Sequence, residues 1–220
     1  MSRFRPSART PPVANGLRTS IRRYRMTARA DTARATGERI LASAFDLFRE
    51  NLFDQVTLED LAGRAGVTVR TVVRRFGSKE HLFVIIAEQR AGDIRSKRDE
   101  TVPGDVVGAV RRLIETYETR GDEVLHLLAQ EPRAEAIAEG VQSGRQFHQA
   151  WVDRVFSPLL GQLPAAGRRR RLAQLTAVTD VYMWKVLRRD LGLSQREVED
   201  SLRELIDKIV DAGPTNTPTP

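Results

Sequence analysis

The chain of 220 residues has no cysteine, only 6% aromatic residues and no apolar run that approaches membrane-spanning length. The absence of cysteine excludes disulfide bonds and thiolate chemistry, and it suits a reducing compartment. The N-terminus is basic but lacks the apolar segment that a secretory signal requires. We therefore expect a cytoplasmic globular protein with no membrane partner.

Catalytic and metal-binding patterns are also missing. No glycine-rich loop resembles a phosphate cradle, and no nucleophile elbow occurs. The three histidines, His81, His126 and His148, are scattered without carboxylates at metal-ligand spacing, which indicates surface or pocket-wall positions. We expect a protein that is not an enzyme and that uses no cofactor and no metal.

Positive charge is concentrated at the N-terminal end. The first 36 residues hold nine arginines against Asp31 alone, or +8, whereas the remaining 27 basic and 28 acidic residues sum to −1. Residues 1–35 have no helical apolar stripe, so we predict a disordered basic arm. This arm either follows DNA, as basic arms do, or is a translated leader without a role. Met26 is an equally good native start, and both interpretations stay open.

One segment in the first third of the chain has the pattern of a helix-turn-helix. Thr57 and Asp60 form a capping box at the start of a short helix. Gly66 ends that helix, and Thr68 caps a second helix from about Val69 to Phe76. The second helix is the predicted reader of the DNA major groove.

Basic residues are segregated on this segment. Residues 37–90 carry eight basic and eight acidic side chains, yet no acidic residue lies between Gly63 and Lys79. The basic residues there are Arg64, Arg70, Arg74, Arg75 and Lys79. A solvated basic face is the alternative, but cations gathered around a helix-turn-helix are typical of a phosphate-facing surface.

Helical periodicity continues along the rest of the chain, and no strand of useful length is found, so we predict an all-α protein. A helix through Ile40 and Phe48 precedes the helix-turn-helix. The later helices are expected from Ser78 to about Lys97, through Val106–Tyr117, in a short element starting at Gly121, in a long segment ending at Pro158, through Leu172–Leu187, and after a capping box of Ser194 and Glu197. Residues 213–220 are expected to form a frayed tail.

From Ile40 to Leu82 the chain closely resembles the tetracycline-repressor (TetR) family of bacterial transcription regulators. The shared pattern is Ile40-Leu-x-x-Ala-x-x-Leu-Phe48, then Thr57-x-x-Asp-Leu-Ala-x-x-Ala-Gly-Val-Thr68, then Thr71-Val-x-x-x-Phe-x-Ser-Lys-Glu-x-Leu82. The segment 182–194 also looks like the turn between the last two helices of many members.

The resemblance implies a particular organisation. A three-helix DNA-binding domain would occupy residues 36–82, and a ligand-binding and dimerisation domain residues 83–212. The last two helices would pair with those of a second copy, and a pocket between that bundle and the DNA-binding helices would bind a small molecule. The expected partners are therefore double-stranded DNA, a second copy of the chain and an unknown ligand.

Residue roles follow from the motif. The resemblance implies that Thr57, Thr71 and Lys79 touch phosphate or cap helices beside it. It also leaves the arginines of the second helix free to reach DNA, and an arginine near the start of a recognition helix is suited to binding guanine. The predicted DNA-binding set is Thr57, Thr68, Val69, Arg70, Thr71, Val73, Arg74, Arg75 and Lys79.

Two valines carry conflicting signals. Periodicity would bury both Val69 and Val73, whereas the resemblance places both toward the groove. We follow the resemblance for Val69 and leave both alternatives open for Val73. The family commonly has tyrosine at position 73 and glycine at the position of Leu52, so a phosphate-binding hydroxyl is missing here.

Ligand-pocket candidates are the large side chains at helical spacing in the C-terminal domain, which are equally suited to a core. They are Tyr117, Leu128, Phe147, Trp151 and Tyr182.

The leading function is a ligand-responsive homodimeric repressor that binds a palindromic operator. A nucleoid-type binder without sequence preference is the first alternative, and a helical enzyme is the second.

Overall fold

The computed structural model describes residues 14–161 and 163–211, with side chains from residue 30 onward. This part of the chain is helical and contains no strand, which confirms the all-α class. Its α-helices are α1 Ala14–Glu50, α2 Leu58–Ala65, α3 Val69–Phe76, α4 Lys79–Asp99, α5 Val106–Ala129, α6 Glu135–Phe156, α7 Ala165–Val178, α8 Val181–Lys185 and α9 Gln195–Asp211. Within these ranges, no helix combines the length and apolar character that a membrane crossing requires.

The first apolar core joins α1–α3 and the start of α4. Ile40 of α1 and Leu61 of α2 are fully buried, and Val72 attaches α3 to them. The same core includes Ile137 and Val141 of α6. The N-terminal unit therefore shares its core with the rest of the protein, and α4 continues without a break from one part into the other.

The second core lies among α5–α9. Trp151 and Phe156 of α6 are buried in it, together with Trp184 of α8. The last helix contributes an apolar seam that includes Leu202 and Ile206, because residues four apart share one helical face. These helices form the wall against which α4 packs.

Helix α1 is longer than the sequence analysis indicates. It begins at Ala14, so the prediction of a disordered arm over residues 1–35 is wrong for residues 14–35. This stretch follows the last N-terminal proline and is rich in alanine and arginine, which are good helix formers. Adding turns to a folded helix also avoids the cost of nucleation. Residues 1–13 of the predicted arm, and the predicted tail at 213–220, lie outside the described residues.

Two predicted helix boundaries in the C-terminal part are wrong. Gly121 does not start a short helix but lies buried within the continuous α5. The helix expected through Leu172–Leu187 is instead divided, because Asp180 accepts a hydrogen bond from the backbone N–H of Tyr182 and starts α8 anew. A π-helical segment, Val186–Asp190, follows α8.

The predicted start of the last helix is confirmed. The Ser194 hydroxyl accepts from the backbone N–H of Glu197 at 3.3 Å, and the Glu197 carboxylate accepts from the backbone N–H of Ser194 at 2.7 Å. Hydrogen bonds that the Ser194 hydroxyl and then its backbone N–H donate to the carboxylate lower the pKa of the Glu197 carboxyl. Two otherwise unpaired helix-end N–H groups are thereby satisfied.

Candidate functional site

The helix-turn-helix has the predicted local geometry. Thr57 accepts from the backbone N–H of Asp60 at 3.1 Å, and the Asp60 carboxylate accepts from the backbone N–H and the hydroxyl of Thr57. Gly66 ends α2 in the left-handed conformation at φ 62°. Thr68 caps α3 through the backbone N–H of Thr71, and the two threonine hydroxyls lie 3.0 Å apart. All three threonines therefore shape helix starts in the free protein.

Helix α3 separates a buried face from an exposed one. Val72 and Phe76 are buried. Val73 is 42% exposed, so burial from periodicity is wrong for this residue and its side chain faces outward. Val69 is half-buried and packs on the first core, so only part of its side chain is available for contact with the DNA major groove.

The arginines of α3 differ in their surroundings. Arg70 and Arg74 are exposed, and neither forms an ion pair with a described residue. The Arg75 guanidinium lies 5.7 Å from the Phe76 ring centroid and so close to Gly37 of α1 that a Cβ there would collide with it. Arg75 is exposed but lies against α1, so its contact with DNA stays a prediction. Arg70 and Arg74 are the cations presented outward.

The Lys79 ammonium, which is predicted to touch phosphate or to cap a helix beside it, is held by backbone carbonyls in the free protein. Its Nζ donates to the backbone carbonyls of Phe53 at 2.8 Å and Val56 at 2.9 Å, and lies 4.4 Å from the Phe53 ring centroid. Two of its three N–H donors thus hold the turn that leads into α2. Arg64 is likewise engaged, because it pairs with Glu50 at 2.7 Å.

A cavity of about 400 Å³ lies between the N-terminal unit and α4–α6. Of the predicted pocket residues, Tyr117, Leu128 and Phe147 line it. The prediction is wrong for Trp151, which is 2% exposed and belongs to the second core, and for Tyr182, which is 53% exposed on the outer surface of α8. Helical spacing alone does not distinguish a cavity wall from a core or a surface.

The polar end of the cavity was missed in the sequence analysis. It contains Arg98 of α4, which is 4% exposed, and its Nη1 lies 3.0 Å from Nδ1 of His148. In the sequence, Arg98 belongs to a run of charged residues that indicates a solvated helix face. No local signal identifies it as buried, because the aromatic residues around it are on other helices.

The three histidines occupy different environments. His81 is exposed, whereas His126 and His148 line the cavity. Burial, reinforced by the Arg98 charge, lowers the pKa of His148 from 6.5 to about 4, so its imidazole is neutral at physiological pH. Among the described residues no group of histidines and carboxylates is arranged to hold a metal ion.

The cavity touches the DNA-binding unit directly. Phe48, Phe53 and Phe83 form an aromatic cluster in its wall, with ring centroids 5.4–5.8 Å apart. The backbone N–H of Phe53 donates to Oε1 of Gln130 at 2.6 Å, which ties the turn before α2 to the end of α5. Displacement of this cluster would therefore act on the turn that Lys79 also holds.

A capped helix-turn-helix with two outward arginines that form no ion pair with a described residue is typical of a DNA-binding domain. Residues 40–85 match the family model for bacterial regulatory proteins of the tetR family. The match covers the helix-turn-helix region, over which the chain is similar to this family, and it supports a DNA-binding transcriptional regulator.

Solved structures share the fold over most of the chain. A transcriptional regulator from Rhodococcus sp. Rha1 is 20% identical, with a TM-score of 0.61 over 80% of this chain and 98% of that one. A tetR-family transcriptional regulator from Streptomyces coelicolor is 16% identical, with a TM-score of 0.58 over 84% of this chain and 92% of that one. No curated protein sequence matches the chain significantly. At these identities the likeness establishes the fold.

Proposed function

We propose that the protein is a ligand-responsive homodimeric repressor that binds a palindromic operator and is released by a small molecule. The observation that carries this proposal is the cavity of about 400 Å³ whose wall is shared by the DNA-binding unit and α4–α6. Its volume lies within the range of about 300–1,000 Å³ for small-molecule sites. The cavity serves binding rather than catalysis.

Ligand response follows from the position of Phe53. This residue lines the cavity on one side and contacts the Lys79 ammonium on the other, immediately before α2. A ligand that displaces the aromatic cluster would move α2 and α3 relative to α4. It would lower DNA affinity only to the extent that it binds the displaced state more tightly than the DNA-bound state.

Dimerisation is supported by apolar surface on the last two helices. Four exposed large apolar residues lie on the segment from α8 to α9: Tyr182, Val186, Leu191 and Leu205. Exposed large apolar side chains that gather on one surface are characteristic of protein interfaces, and we infer that these four belong to one such surface. Pairing of this surface with the same surface of a second copy would present two α3 helices to the two half-sites of the operator. Such half-sites lie one helical turn of DNA apart, which is about 34–36 Å or a little more.

Arg70 is the proposed base-reading residue, and Arg74 a proposed phosphate contact. Arg70 is the second residue of α3, and the N-terminal residues of a recognition helix contact base edges. Arg74 lies one turn later on the exposed face. Val73 between them is placed to touch a thymine methyl group.

Selection of binding sites from random DNA, followed by titration of the selected site against random DNA, tests this function. Arg70→Ala should cost about 1–3 kcal/mol of discrimination at one base step in each half-site, because a bidentate guanine contact is lost. Arg64→Ala is the control, since Arg64 is equally basic but paired with Glu50. No enriched palindrome, or an equal loss on both DNAs for Arg70→Ala, would contradict the proposal and favour a nonspecific binder.

The dimer is tested by mass measurement in solution. Val186→Asp should yield a monomer with weak operator binding, because a charge would be buried in the proposed interface. Val107→Asp is the matched control, since Val107 is 55% exposed at the start of α5, outside that surface. A monomeric native protein, or identical behaviour of the two variants, would exclude this interface.

A further inference from the structure

Arg98 is a buried cation without a carboxylate partner. It is 4% exposed, and its guanidinium lies 5.4 Å from the Tyr117 ring and 5.2 Å from the Trp151 ring. No carboxylate of the described residues forms an ion pair with it, and its Nε has no hydrogen-bond partner. Burying an unpaired charge is costly, so such a residue calls for a compensating anion.

The groups around Arg98 do not supply that anion. His148 accepts from Arg98 through Nδ1, and its Nε2 lies 3.2 Å from the Thr179 hydroxyl, but its imidazole is neutral. Tyr117 donates its hydroxyl to the Thr179 carbonyl at 2.9 Å, and burial raises its pKa, so it is also uncharged. Aromatic faces attract the guanidinium without neutralising it.

The other charged groups of the cavity wall are mostly engaged. Of its other arginines, Arg49, Arg90, Arg120 and Arg145 form ion pairs, and Arg95 forms none with a described residue. Its carboxylates are Glu123 and Asp180. Glu123 is engaged by Arg90 at 2.6 Å. Asp180 accepts from the backbone N–H of Tyr182 and caps α8. The remaining wall is mainly apolar, with the Phe48, Phe53 and Phe83 cluster at its base.

We propose that the cavity binds an organic acid with an apolar body, whose carboxylate pairs with the buried Arg98 guanidinium. The unpartnered Nε and the planar fork of the guanidinium suit a carboxylate. The apolar body lies toward the aromatic cluster of the DNA-binding unit. The inference rests on the proposed ligand-responsive function and specifies the chemical class of the ligand.

Calorimetric titration of the full chain tests this inference. The probes are straight-chain carboxylates from hexanoate to dodecanoate and phenylalkanoates, each compared with the alcohol of the same skeleton. At least one acid should bind about tenfold or more tightly than its alcohol. This preference should disappear in Arg98→Met, which keeps the side-chain length without the charge.

Two further variants make the result specific. Arg95→Met is the matched control, because Arg95 lies one turn earlier on α4 and lines the same cavity but is exposed. It should keep the preference for acids. Arg98→Lys should also keep it, with weaker binding because the planar fork is lost. Circular dichroism verifies that each variant is folded.

The outcomes separate the ligand class from the proposed function. Equal binding of acids and alcohols by the native chain, no acid binding up to about 1 mM, or a preference that survives in folded Arg98→Met overturns the inference. If Arg98→Met does not fold, the inference is decided by the ratio of acid affinity to alcohol affinity in the native chain and in Arg98→Lys. If alcohols release the protein from DNA as well as acids do, the proposed ligand response stands and the inferred acid class of the ligand is wrong. Acid binding that depends on Arg98 but never changes operator affinity would contradict the ligand response alone.

Discussion

Replacement of Gly121 by alanine should destabilise the protein, although alanine is the better helix former. Gly121 lies within α5, and a Cβ there would come within 3.0 Å of three indole carbons of Trp184. Trp184 is fully buried, and its Nε1 donates to Glu118 at 2.9 Å while Arg189 covers its ring at 4.5 Å. The indole therefore has little room to withdraw.

The magnitude follows from two opposing terms. Removing a glycine from a helix interior stabilises by about 1 kcal/mol. Forcing an extra carbon into a packed core costs roughly 1–3 kcal/mol, and the hydrogen bond between Trp184 and Glu118 adds about 1 kcal/mol if the indole moves. We expect the Gly121→Ala variant to lose about 1–3 kcal/mol of unfolding free energy if the indole moves.

Gly92→Ala is the matched control. Gly92 is an exposed residue of α4, and no atom lies within 4 Å of the position of an added Cβ. This variant should gain about 1 kcal/mol from helix propensity alone. Urea unfolding of both variants at equal protein concentration measures the difference. A higher unfolding midpoint for Gly121→Ala than for the native chain would refute the packing argument.

Two further predictions concern charged groups. Because the pKa of His148 falls from 6.5 to about 4 on folding, the unfolded chain binds more protons in that range, and stability should fall as the pH drops from 6.5 toward 4. At 1.36 kcal/mol per pKa unit, the loss of unfolding free energy approaches about 3 kcal/mol. Urea unfolding at a series of pH values measures it. If the His148→Gln variant lost the same stability with falling pH as the native chain, His148 would not be the cause. Lys79→Met should lose about 2 kcal/mol of unfolding free energy, because charged hydrogen bonds to Phe53 and Val56 disappear. If Lys79→Met instead weakened DNA binding and left the urea midpoint unchanged, Lys79 would contact phosphate as the sequence predicts.

Local features of the DNA-binding unit were predictable because their partners are close in sequence. The capping pair Thr57 and Asp60, the turn at Gly66 and the cap at Thr68 all act within four residues. The predicted helix boundaries were wrong where a residue distant in the sequence determines the local structure. Gly121 has the sequence signal of a boundary, but it is retained inside α5 by Trp184, 63 residues later.

The functional residues divide in the same way. The sequence, through the capped turn before α3, places Arg70 at the start of that helix. It does not distinguish Arg70, which is unpaired, from Lys79, whose ammonium is held by carbonyls more than 20 residues away. Nor does it separate Tyr117, which lines the cavity, from Trp151, which does not, although both are buried in the second core.

The amino-acid sequence alone determined the all-α class, the helix-turn-helix and the resemblance to the tetR family, because these depend on helical periodicity, helix caps and a contiguous motif. The tertiary structure decided which cations remain available and where the cavity lies. Arg98 is the clearest example, since a member of a charged run becomes a buried cation only when α5 and α6 enclose it with Tyr117 and Trp151. Burial and ion pairing depend on groups brought together from distant parts of the chain, and no local pattern encodes those contacts.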